Sequence, residues 1–161
     1  KLAQKDTDAD WTKKNGERHF GYKDHVKCDA DSKLITNYSV TSASVHDSQR
    51  CLVFIGQEDE VLYADSAYSG KPIALALPEN CKNQICEKGY RNSPLTSEQK
   101  MNNRRKSRIR CRIERIFGFM TGAMHGITVR SIGITRAWMN IGITNLVYNF
   151  CRYSYLKRAS A

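Results

Sequence analysis

Arg104 to Met120, RRKSRIRCRIERIFGFM, is the stretch whose reading decides how this chain folds. On an α-helix, Ile109, Ile113, Ile116, Phe117 and Met120 recur at i, i+4, i+7, i+8 and i+11, the apolar stripe of a helix packed on a core. Arg105, Arg108, Arg112 and Arg115 line one flank of that stripe, and Ser107, Arg110, Glu114 and Thr121 line the other. From Lys100 to Arg115 eight Lys or Arg meet a single acid, Glu114, so this run holds +7 of the chain's net +10. An i,i+4 pair such as Arg110 and Glu114 is ordinarily a surface ion pair worth about 0.3 kcal/mol. A lone carboxylate beside a row of cations also suits metal-dependent chemistry on nucleic acid. The acid would hold Mg²⁺, and Arg104, Arg105, Lys106, Arg108, Arg112 and Arg115 would hold phosphates. One carboxylate cannot do this alone, so the rest of the chain must supply partners.

The remaining composition sets the frame. A chain of 161 residues, 40% hydrophobic and 26% charged, is expected to fold as one soluble domain over residues 1–161. Clustered positive charge favours nucleic acid as the partner over an anionic membrane surface. No apolar run approaches the ~18 residues of a transmembrane helix, and no signal sequence is present, so the expected location is the cytoplasm, at the nucleoid. The cysteines at 28, 51, 81, 86, 111 and 151 show neither CxxC nor zinc spacing and read as free thiols. Lys1 in place of Met suggests a segment of a longer product.

Along the chain, Lys5 to Asn15 lacks periodicity, and residues 1–15 are expected as a leading loop. Asp6, Asp8, Asp10 and Glu17 match four positions of a calcium loop, but Trp11 stands where its Gly is required, so a solvated acidic turn is the better reading. His19 to Asp29 alternates, with Phe20, Tyr22, Asp24, Val26 and Cys28 on one side. Lys33 to Ser42 follows a turn at Asp31 and Ser32, which predicts a β-hairpin. His19, His25 and His46 lack metal-ligand spacing and read as structural. A capping pattern at Ser44 to Asp47 predicts a short helix to Ile55.

Glu60 to Asp65, EVLYAD, reads as a short strand buried on both faces, with Asp65 at its carboxyl end, where ligands gather in open α/β sheets. The alternative for Asp65 is a turn or helix cap. Pro72 to Leu77 predicts a helix, Asn83 to Lys88 an edge strand, and Ser97 or Asn102 the cap of the basic helix. A terminal helix is expected over residues 135–158, using Trp138, Ile141, Asn145, Leu146 and Asn149. The fold class is therefore α/β.

Five strings, DTDADWTKK, FGYKDHVKCD, VTSASVHDSQ, VLYADSAYSG and NRRKSRIRCRIERIFG, occur in an order that resembles the catalytic domain of bacterial insertion-sequence transposases of the DDE type. The resemblance covers almost the whole chain. It implies an RNase H-like three-layer fold and two Mg²⁺ ions, with Mn²⁺ able to substitute, held by three carboxylates. It also implies cleavage and strand transfer of double-stranded DNA at element ends, by a homodimer of the full-length protein. Carried over by position, the second acid is Asp65, the third is Glu114, and Arg110 belongs to the signature around it. Ser107 and Thr121 stand where the family has Tyr and Lys. The first acid has no counterpart among Asp6, Asp8, Asp10 and Asp29. It is expected upstream of Lys1, together with the first central strand, so this segment is expected to be incomplete in fold and inactive alone. A catalytically dead, basic DNA-binding remnant of the same ancestry is the second reading, and an unrelated RNA-binding protein the third.

Overall fold

The computed structural model describes residues 5–14 and 16–160; residues 1–4 and 15 of the expected leading loop lie outside the described residues. The chain is a mixed α/β protein with a three-stranded antiparallel sheet, a two-stranded parallel pair and five α-helices among the described residues. It forms two compact units, residues 1–47 with 116–161, and residues 48–115.

In the first unit, β2 (Glu17–Cys28) and β3 (Ile35–Ser42) form the expected hairpin, from Tyr22 opposite Ser42 to Cys28 opposite Ile35. Its turn is closed by the Asp29 carboxylate, which accepts from the Ser32 N–H at 2.6 Å, and by Lys33 at φ 60°. Phe20 is exposed and His25 is buried, its Nε2 2.8 Å from the Thr41 hydroxyl. The stretch expected as a loop carries β1 (Asp10–Lys14), paired with the first part of β2 so that Trp11 faces Phe20. The strand escapes periodicity because both its faces are exposed and need not alternate. Its signal is the dipeptide Asn15-Gly16, the strongest short-range mark of a hairpin, with Gly16 at φ 90°.

Helix α5 (Ile134–Ala159) buries Ala137, Ile141, Asn145 and Tyr148. Trp138 and Leu146, expected on that face, are exposed instead. The helix is apolar nearly all round, so periodicity cannot select its buried side. The Asn149 amide fixes the choice by pairing with the edge of β3, accepting from the Ile35 N–H at 2.8 Å and donating to the Ile35 carbonyl at 2.9 Å. Arg152 and Tyr148 donate to the Ser32 and Lys33 carbonyls of the hairpin turn. The first turn of α5 begins at Gly133, which has no side chain to cap it. Asp8 accepts from the Ile134 N–H at 2.9 Å and Asp6 from the Gly133 N–H at 3.3 Å, so the acids read as a solvated turn cap this helix across the fold.

The second unit holds α1 (Ser48–Phe54), β4 (Val61–Leu62), a 3₁₀ turn (Ser66–Tyr68), α2 (Lys71–Ala76), β5 (Lys82–Asn83) and α3 (Ser97–Arg110). Its core is Cys51, Ile73 and Ile85, flanked by Ile55, Leu62, Ala64 and Tyr68. β4 and β5 run parallel, as expected of EVLYAD, but β4 is short and Val61 is exposed, so this strand is not buried on both faces. Thr96, one residue before the expected cap, closes a capping box with Gln99 at the start of α3.

The helix expected as continuous from Arg104 to Met120 is broken at Cys111, and α4 (Arg112–Gly122) follows. Arg104, Arg108 and Arg112 are spaced i, i+4, and such like-charge pairs weaken a helix just where this one parts. The apolar stripe is divided with it. Ile116 and Met120 are fully buried, whereas Ile109, Ile113 and Phe117 are only half-buried.

Candidate active site

The parallel ladder between β4 and β5 continues past the strands themselves, through Gln84 N–H to Leu62 O at 2.9 Å and Cys86 N–H to Ala64 O at 3.0 Å. The next residue is Asp65. Freed from the ladder, the chain turns, and Asp65 caps that turn through Oδ1, which accepts from the Ser66 N–H at 2.5 Å and the Ser66 hydroxyl at 3.1 Å. Asp65 thus directly follows the parallel ladder, and of its two sequence readings the turn cap is the one its hydrogen bonds show. Its other oxygen, Oδ2, lies 4.0 Å from Nη1 of Arg110.

Arg110 is the last residue of α3, and that helix is braced against the β5 segment by Asn103, which had no expected role, and Lys106, which had a different one. Asn103 accepts from the Glu87 N–H at 2.9 Å and donates to the Glu87 carbonyl at 3.0 Å, while Lys106 donates to the Ile85 carbonyl at 3.0 Å. No periodicity or spacing could have found these contacts, because they join segments far apart in sequence. So held, Arg110 donates from Nη2 to Oε1 of Glu114 at 2.8 Å. One guanidinium thus hydrogen-bonds Glu114 through one nitrogen and faces Asp65 across 4.0 Å with the other. Arg110 is 26% exposed, against 54% for the Asp65 side chain and 60% for Glu114, so the carboxylates open to solvent around a more sheltered cation.

The remaining expected site residues divide. Arg104, Arg105 and Arg108 on α3 and Arg115 on α4 are exposed, while Arg112 is half-buried. Lys106, expected to hold phosphate, is spent on the Ile85 carbonyl and lies 3.9 Å from Glu87. Ser107 is 3.7 Å from the Cys86 sulfur, and the Thr121 hydroxyl donates to the Phe117 carbonyl of its own helix.

The donor set matches a hard divalent cation in kind, because such ions take carboxylate oxygens and the place between these two acids already holds a positive group. In number it is two. Among the described residues no three His, Cys, Asp or Glu side chains gather to hold a metal ion. No helix among the described residues is long and apolar enough to cross a membrane.

A family model described as "Transposase DDE domain" matches residues 1–150, a span that includes Asp65, Arg110 and Glu114, and the chain belongs to that family. The chain is also similar to the transposase for insertion sequence element IS1106 of Neisseria meningitidis serogroup B, 33% identical over 117 residues. That match covers 71% of this chain and 40% of the relative's length. No solved structure matches.

Proposed function

We propose that this chain serves DNA transposition as part of a metal-dependent catalytic domain of RNase H-like architecture that cuts and joins double-stranded DNA at the ends of an insertion sequence. The observation that carries the reading is the convergence of Asp65 and Glu114 on Arg110 at the carboxyl end of a parallel strand. Asp65 and Glu114 would hold Mg²⁺ or Mn²⁺, and bound there the ion would supply Lewis-acid activation of a hydroxyl and stabilisation of the leaving oxygen. Arg110, paired with Glu114 and facing Asp65, holds the positive charge between the two acids that the ion would displace. Arg104, Arg105 and Arg108 hold the DNA backbone without reading its sequence.

A two-metal site needs a third bridging acid, and the described residues gather only two. This chain alone is therefore proposed to bind DNA and one divalent ion without cutting or joining strands. That count also favours the second reading, a DNA-binding protein with no catalysis at all, and metal binding separates the two. Water-proton relaxation on titration with Mn²⁺ should show one bound ion. Asp65→Asn and Glu114→Gln should each weaken binding at least tenfold, with duplex DNA affinity not reduced. Mn²⁺ binding indifferent to both substitutions would leave only the DNA-binding reading, and strand transfer by this chain on a pre-cut DNA end would overturn the count of acids.

A further inference from the structure

Strand β2 changes partner at Gly21. Residues 17–21 pair with β1 and residues 22–28 with β3, the Gly21 carbonyl at the junction also accepts from the Ala43 N–H at 3.0 Å, and Gly21 itself adopts φ 147°, a conformation open to glycine. The segment from Asp10 to Phe20 is therefore a two-stranded ribbon. Among its described residues all are exposed except half-buried Thr12.

The ribbon's faces are unlike. Alternation puts Trp11 and Lys13 on one face, and the register sets Phe20 and Arg18 directly opposite them. The other face holds Asp10, Thr12 and Lys14 with Glu17 and His19, the last two 3.8 Å apart. Every acid of the ribbon lies on that second face, and the first carries only aromatic and cationic groups. Trp11 and Phe20 are 59% and 51% exposed, with ring centroids 5.2 Å apart at 53°. A tilted pair of this kind stabilises a hairpin, yet it leaves most of the indole uncovered. Trp11, Thr12, Lys13 and Arg18 also line an open hollow of about 380 Å³. A flat π surface two residues along the strand from a pair of cations, about 6.6 Å, suits a base stacked on the ring with a neighbouring phosphate on Lys13 or Arg18.

We propose that this face, Trp11 and Phe20 with Lys13 and Arg18, is a contact for unpaired nucleotides of a DNA strand. The proposal rests on the reading of this chain as one that acts on DNA, and adds a second contact distinct in chemistry from the arginines of α3. Stacking needs a base whose face is free, so the ribbon should prefer single strands or frayed ends, whereas the arginine row should prefer the duplex backbone.

The chain has two tryptophans, so Trp138→Phe leaves Trp11 as the only indole reporter. In that background, a ten-nucleotide oligo-dT should quench the fluorescence. Trp11→Ala should weaken oligo-dT binding, followed by anisotropy of a labelled strand, about tenfold. Trp11→Leu keeps an apolar partner for Phe20 but lacks a π face, so it should weaken binding equally, while Trp11→Phe restores most of it. Joint Lys13→Gln and Arg18→Gln should flatten the salt slope by up to about 1.4, at about 0.7 per contact on a single strand. Duplex affinity should be insensitive to Trp11→Leu. Unchanged oligo-dT affinity in Trp11→Leu, with duplex binding intact, overturns this inference alone. A Trp11 response to phosphatidylglycerol vesicles with none to oligo-dT also overturns it. Failure of the unsubstituted chain to bind either form of DNA would remove the proposed function itself.

Discussion

Arg110 and Glu114 close a 2.8 Å charge-assisted hydrogen bond across the point where the basic helix breaks, with Arg110 ending α3 and Glu114 in the first turn of α4. The bond bridges the discontinuity at Cys111, and the same guanidinium also faces Asp65. A pair of this spacing on an unbroken helix would be a minor surface contact. Here it ties an acid beyond the break to the strand end that carries the other acid.

Removing Arg110 should therefore raise, not lower, the affinity for a divalent cation. A positive charge about 4 Å from the site opposes a divalent cation by about 2 kcal/mol even in water, roughly thirtyfold, which screening by salt reduces to several-fold. Arg110→Ala is expected to bind Mn²⁺ several-fold more tightly, as measured by water-proton relaxation. Weaker binding would mean that Arg110 mainly holds the two acids in position.

The arginines of α3 should be separable from the lysine among them. Arg104→Ala, Arg105→Ala and Arg108→Ala together should flatten the dependence of log K on log salt for duplex DNA by up to about 3, at about 0.9 per phosphate contact. Lys106→Ala should leave that slope unchanged and lower the stability of the fold, because it removes the donor to the buried Ile85 backbone. A slope change in Lys106→Ala would show that its ammonium leaves Ile85 when DNA binds.

Asp24 makes stability depend on pH in an unusual direction. Burial pushes its carboxyl up to about 6, against a weaker opposing pull from the Asn145 amide, whose Nδ2 donates to Oδ1 at 3.3 Å. The second oxygen of Asp24 and the carbonyl oxygen of Asn145 are both buried without a hydrogen-bond partner. A proton on Asp24 would let it donate to Asn145 and satisfy both. Because the folded value lies above the ordinary one, the stabilisation is complete below about pH 4 and is lost as pH rises through 6. The loss is on the order of 3 kcal/mol. Asp24→Asn should abolish this component and exceed the parent in stability at pH 7, read from denaturant midpoints at pH 4.5 and 7. A variant less stable than the parent at both pH values would refute the account.

The cap on α5 gives the opposite pH response. Burial pulls the Asp6 carboxyl upward, but hydrogen bonds from the Tyr22 hydroxyl and from the Gly133, Asp8 and Ala9 N–H groups outweigh it, and the net shift is downward. A lowered folded value means stability that is present above the ordinary carboxylate range and is lost as pH falls through the folded value. Asp6→Asn should reduce that acid-side loss. Asp8→Ala should cost about 1 kcal/mol at neutral pH by leaving the Ile134 N–H without its acceptor, as thermal or chemical denaturation would show. No change in either variant would detach these acids from helix capping.

The sequence by itself determined what depends on neighbours a few residues apart. The β2–β3 hairpin, the strand leading to Asp65, the terminal helix and the basic run all follow from period, turn chemistry and local charge. The family is carried by motifs that keep their order along the chain. What depends on which surfaces meet was decided only by tertiary structure. Apolar periodicity cannot choose the buried side of a helix that is apolar all round, so α5 awaited the Asn149 pairing with Ile35. Nor could spacing show that Lys106 faces a backbone carbonyl, or that Asp6 and Asp8 reach a helix start more than a hundred residues on. The arrangement of Asp65, Arg110 and Glu114 is of the same kind. A carboxylate's partner across many residues is set by how strand ends and helices pack, and residue order carries no record of that distance.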